Sequence, residues 1–159
     1  MSDEHPPNTG GRIRGPDAQH QANAGNQRYW DEIAEAYQQQ TRIATEHFHY
    51  GPLLPGDQDL QLLPPITPGM DCLELAGGAG QNSICLARRG AHCEVVDISA
   101  AQVQHGRRLA DACDVDVDFH VADMDTLTRP RAAYDLVHSS YGLPFSSDPA
   151  ALLQNVGKW

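Results

Sequence analysis

Apolar positions along this chain fall into three differently patterned stretches. Met1 to Asn26 is dominated by Pro, Gly, Asn, Gln and charged residues. Such a composition cannot bury enough apolar surface to offset the entropy of ordering, so the pattern predicts a disordered tail. Trp30, Ile33, Ala34 and Tyr37 then recur at the spacing of one helical face, which predicts an amphipathic helix beginning at Tyr29. His47 to Pro52 reads as a loop with an aromatic centre, and Leu60, Leu62 and Leu63 as a short helix stopped by Pro64-Pro65. These readings divide the chain into a tail (1–26), a helical cover (27–66) and a third unit (67–159).

In the third unit, short apolar runs alternate with helical ones, the signature of parallel βαβ units. Strands are predicted at Met70–Leu75, His92–Val96, Asp116–Val121 and Tyr134–His138. Helices are predicted from Asn82 to Arg89, after Ser99 as N-cap, and after Asp148-Pro149, where an N-cap precedes Pro at the first helical position. Val103, Gly106, Ala110 and Cys113 share one face of the second of these. The expected fold is α/β: a Rossmann-like, doubly wound, mainly parallel sheet that stops after the fourth strand and its following helix.

Composition narrows the function classes. Against 21 Asp and Glu stand 11 Lys and Arg, for a formal charge of −10 over 159 residues. A broad basic surface for nucleic acid or anionic lipid is therefore not expected. No apolar run approaches the ~20 residues of a membrane span. Cys72, Cys85, Cys93 and Cys113 form no C-x-x-C pair, and the eight histidines form no metal-ligand motif. The expectation is buried free thiols in a reducing cytoplasm and no bound metal.

Chemistry concentrates at the strand ends. Glu74-Leu75-Ala76-Gly77-Gly78-Ala79-Gly80 follows a strand and opens a helix, so its backbone can turn sharply and let a ligand lie against main-chain N–H groups. Asp97 lies 17 residues beyond Gly80 at the end of the second strand, where doubly wound sheets place an acid for ribose hydroxyls. Asp123 ends the third strand in Ala122-Asp123-Met124. Three consecutive strand ends facing one crevice point to a nucleoside-containing ligand.

From about Tyr29 onward the series resembles the class I S-adenosylmethionine-dependent methyltransferases. The resemblance rests on the acid and glycines of Glu74 to Gly80, on Val95-Val96-Asp97-Ile98-Ser99, on Ala122-Asp123-Met124 and on Tyr134 to Ser140. Ala76 departs from it, standing where the first glycine is usual, with one extra methyl beside cofactor or turn. The resemblance implies S-adenosylmethionine as cofactor and a small-molecule methyl acceptor as partner. Gly78 and Gly80 would pack on its methionyl and ribose part, Glu74 would hold the turn or reach its amino group through water, and Asp97 would take both ribose hydroxyls. Ile98 and Met124 would sandwich adenine, and Asp123 would accept from its exocyclic amine. Tyr29, Tyr37 and the segment His47 to Tyr50 resemble the family's N-terminal cover. His49 there could act as a base, and His138 falls where the family lines the transfer site.

Two other readings share these residues. A nicotinamide dehydrogenase uses the same strand, turn and acid, but it wants a small apolar residue where Ser83 stands. A non-catalytic fragment or interaction protein is the other, because members of the resembled family carry about three further strands beyond the helix after Pro149. On that expectation a second copy or a complementing C-terminal segment would complete the sheet, and the 159 residues alone would be unstable or silent.

Overall fold

The computed structural model describes residues 16–159, with side chains from residue 21 onward. Four strands form one parallel sheet: β1 (Asp71–Leu75), β2 (His92–Asp97), β3 (Asp118–Val121) and β4 (Leu136–His138), in the order β3-β2-β1-β4. The expected doubly wound, Rossmann-like parallel sheet is thus present. Four of its helices are α2 (Asp57–Leu60), α3 (Gln81–Ala87), α4 (Ala100–Ala112) and α5 (Pro149–Val156).

Alternation along the strands builds two cores. Cys72, Cys93, Val95 and Phe119 face α3 and α4, where Ile84, Leu86, Val103 and Ala110 cover them. Leu73, Leu75 and Val96 face the other way, under Leu152 of α5 and the buried Trp159. Because β1 has a neighbour on both sides, its residues Cys72 to Leu75 are all buried. Register puts Glu74 of β1 beside His138 of β4, on the α3 side of the sheet. The outer edge of β4 is bare among the described residues.

Local signals set the helix ends. Ser99 caps α4 by accepting from the Gln102 amide, and Asp148 caps α5 by accepting from that of Ala151. Gly90 leaves α3 at a φ of +93°, the left-handed exit that its lack of a side chain permits. The short helix α2 starts earlier than the leucine pattern indicates and ends at Gln61, which holds a left-handed conformation.

The predicted tail is corrected by the fold. The first helix, α1 (Pro16–Thr41), begins ten residues before Asn26, so 16–26 are helical, while 1–15 lie outside the described residues. Buried polar residues explain why apolar counting missed this stretch. Asn23 and Gln38 share the inward side of α1 with Ala34, and each finds a partner across the fold. Asp31 fastens α1 to α4 by accepting from the Ser99 hydroxyl at 2.6 Å and the Ala101 amide at 3.1 Å.

Candidate functional site

An open cleft, about 1000 Å³ when the solvent space at its mouth is counted, lies over the carboxyl ends of β1, β2 and β3, between the sheet and α1. Its floor is the turn after β1, where Ala76, Gly78 and Gly80 all take positive φ values of 50°, 58° and 65°. An alanine there is strained by roughly 1 kcal/mol relative to glycine. The extra methyl of Ala76 points at Gly142, where even an added Cβ would come within 2.3 Å of it. Space absent at residue 76 is thus supplied at residue 142, and Ala76 still lines the cleft.

The glycines of the turn differ in what they face. A Cβ on Gly78 would meet only Gln102 Oε1, at 3.7 Å, so the space above it is open to a ligand. A Cβ on Gly80 would stand 2.8 Å from Phe119 and 3.1 Å from Val95. Gly80, predicted as a ligand contact, is therefore a packing residue at the start of α3 and does not line the cleft.

Asp97 and Asp123 stand at successive strand ends, both on the cleft wall. Asp97 Oδ2 accepts the Gly78 amide at 2.7 Å and Oδ1 accepts the Ser99 amide at 2.9 Å, which fixes the carboxylate and leaves a lone pair on each oxygen. Burial raises its pKa above the usual range, opposed by those amides. Asp123 Oδ1 accepts the Asp125 amide, and its Oδ2 accepts the Asn23 side-chain amide at 2.5 Å. Ile98 and Met124 line the wall between the two acids.

Glu74, 4% exposed, accepts from the Ser83 amide at 3.1 Å and hydroxyl at 2.6 Å, tying β1 to α3 beneath the turn. Loss of water raises its pKa to about 7. Ser83, which breaks the dehydrogenase pattern, is thereby committed to the acid that begins the glycine turn.

His49 reaches the cleft from the loop after α1. Its backbone N–H donates to Asn82 Oδ1 and its carbonyl accepts from Asn82 Nδ2, both at 2.9 Å, with a further bond from Ser140 Oγ at 3.0 Å. Burial lowers its pKa, so the ring is a neutral imidazole at pH 7.

Two predicted site residues lie elsewhere. Tyr29 is 56% exposed, turned away from the cleft, and meets it only through the ring of Trp30. His138 is half-buried on the α3 side of the sheet against Phe48, with ring centroids 5.1 Å apart, and its two enclosed ring nitrogens have no partner. The alternation that places Glu74 on that side places its register neighbour there too.

Sequence reading missed the cleft's amides. Gln81 donates to Gln38 at 2.7 Å, Gln38 donates to Gln102 Oε1 at 2.8 Å, and the Nε2 of Gln102 is a buried donor without a partner. Asn23, Trp30 and Gln38 recur on α1 at intervals of seven and eight, so a helical-wheel reading that counted amides with apolar residues would have found this wall.

Sequence and structure comparisons agree with this geometry. A phosphoethanolamine N-methyltransferase 1 of Zea mays is 26% identical over 95 residues, covering 59% of this chain and 19% of that protein. A tRNA 5-carboxymethoxyuridine methyltransferase of Escherichia coli (strain K12) is 26% identical over 132 residues, 81% of this chain and 51% of that one. The chain thus spans between a fifth and half the length of these curated relatives. The structure of a Haemonchus contortus phosphoethanolamine N-methyltransferase 1, solved with phosphoethanolamine and S-adenosylhomocysteine, superposes with a TM-score of 0.68 at 14% identity, over 89% of this chain and 30% of that one. It shows the shared fold. The family model described as Methyltransferase domain matches residues 72–159, from the start of β1 through α5 and more than half of the chain, so the protein carrying this turn and these two strand-end acids belongs to that methyltransferase family.

Proposed function

We propose that this chain binds S-adenosylmethionine in the cleft over β1–β3 and transfers its methyl group to a small-molecule acceptor. The observation that carries the reading is the alignment of Gly78, Asp97 and Asp123 at consecutive strand ends facing one open cleft. The residues fit the cofactor. Asp97 keeps free lone pairs for two ribose hydroxyls, and Ile98 and Met124 offer apolar surfaces to a flat base beside the acceptor oxygens of Asp123. The space above Gly78 is open, and Gln102, whose Oε1 faces it, has an Nε2 without a partner.

S-adenosylmethionine, when bound, supplies an already activated methyl group on a sulfonium, so the protein's work is alignment, exclusion of water and handling of one proton. Asp97 and Asp123 set the ribose and base of the nucleoside, and the amides of Gln38, Gln81 and Gln102 line the rest of the cleft. His49, neutral and anchored through its backbone, takes a proton from an acceptor that must lose one. Net charge of −10 supports a small acceptor over a polyanionic one, although one relative modifies tRNA.

Calorimetric titration with S-adenosylhomocysteine tests the reading. Saturable one-to-one binding that Asp97→Ala weakens while the chain stays folded supports it, and wild-type affinity in a folded Asp97→Ala chain overturns it.

A further inference from the structure

The cleft over the strand ends is lined by the acids Glu74, Asp97 and Asp123 and, besides them, by a set of aromatic side chains. That set is Trp30, Tyr37, Tyr141 and Phe145. Trp30 stands nearly perpendicular to Tyr37 and to Phe145, at interplanar angles of 87° and 80° and centroid distances of 5.5 and 5.7 Å. Tyr141, at the rim, comes close enough to Tyr37 to raise its pKa, after burial, so the Tyr37 phenol stays neutral. Right-angle contacts at this distance are the edge-to-face packing aromatic rings prefer, and the four side chains together present an aromatic wall to the cleft.

Charge sorts what such a wall can hold. Among the described residues that line the cleft there is no Lys or Arg, and the formal charges there are those of Glu74, Asp97 and Asp123. His49, the remaining titratable nitrogen, is neutral. A phosphate or carboxylate on the acceptor would meet no cationic side chain there. An organic cation instead gains from the ring faces and from the carboxylates.

Resting on the methyltransferase reading, we infer that the acceptor site formed by Trp30, Tyr37, Tyr141 and Phe145 selects a small organic amine that enters as its ammonium and carries no phosphate or carboxylate. The ammonium gives up a proton to the neutral imidazole of His49, which passes it to water. Its freed lone pair forms the new N–C bond while the S–C bond of the donor breaks and that electron pair returns to sulfur. Atoms and charge balance with no further reactant: one positive charge leaves sulfur, and one arrives at nitrogen.

Three probes of nearly one shape test the selection on the chain loaded with S-adenosylhomocysteine: choline, its uncharged isostere 3,3-dimethylbutan-1-ol, and 3,3-dimethylbutanoate. Calorimetry is expected to give choline about tenfold tighter binding than the alcohol, with the carboxylate weaker still. Trp30→Leu and Tyr37→Leu keep apolar bulk but remove a ring, and each is expected to reduce the choline-to-alcohol ratio several-fold. Equal affinities for choline and alcohol, tighter binding of the carboxylate, or an unchanged ratio in both folded variants would overturn the inference. Loss of S-adenosylhomocysteine binding with the choline preference intact would instead overturn the methyltransferase reading and leave the ammonium site standing.

Discussion

Glu74→Gln should give this protein a steep pH dependence of stability that the wild type lacks. Glu74 and His138 are register neighbours on β1 and β4; the Glu74 carboxyl is buried, and both ring nitrogens of His138 are enclosed without a partner. Burial raises the Glu74 carboxyl from 4.5 to about 7 and lowers the His138 imidazole from 6.5 to about 4. Between pH 4.5 and 7 the native state holds a proton on Glu74 that the unfolded chain has released, so this group's stability contribution is full below pH 4.5 and is lost as pH rises to 7. Between pH 4 and 6.5 the native His138 lacks a proton that the unfolded chain binds, so its contribution is full above 6.5 and is lost as pH falls to 4. Each displacement corresponds to about 3 kcal/mol, and the two have opposite signs over nearly one window. In the wild type they offset one another. Glutamine keeps an oxygen for the Ser83 amide and hydroxyl but cannot titrate, so the variant should gain about 3 kcal/mol relative to wild type between pH 4.5 and 7. Urea denaturation at half-unit intervals from pH 4 to 8, compared as a difference profile, isolates the pair from other carboxylates. A Glu74→Gln profile parallel to wild type would refute the reasoning.

Asp97→Ala should weaken S-adenosylhomocysteine binding by about 2–3 kcal/mol, a 30- to 150-fold rise in Kd by calorimetry, because two hydroxyl groups lose a fixed charged acceptor. Gly80→Val should cost about 3 kcal/mol or more in denaturant unfolding, since its Cβ would press on Phe119 and Val95 at a φ of +65°; a folded variant that has lost only ligand affinity would return Gly80 to the binding site. Removing residues 1–26 should raise the Kd for S-adenosylhomocysteine about fivefold, because Asn23 and Asn26 line the cleft and Asn23 holds Asp123. Equal affinities for the long and short chains would leave α1's first turns without a role there.

Strand and helix order was legible in the residues because period-2 and period-3.6 patterns are local, as are capping signals such as Ser99 and Asp148. That Glu74, Ala76, Gly78, Asp97, Ile98, Asp123 and Met124 would line one cleft was legible for a related reason: a parallel sheet sends every strand's carboxyl end to one side, so residues that end strands must share a crevice. Tertiary structure decided what depends on facing. Which side of β4 presents His138, whether Gly80 looks at ligand or at Phe119, and that Gly142 makes room for Ala76 are matters of register and close approach between segments far apart in sequence. It decided the start of α1 as well. The inner side of that helix is polar, and Asn23 and Gln38 become favourable to bury only because Asp123 and Gln102 wait across the cleft to receive their hydrogen bonds.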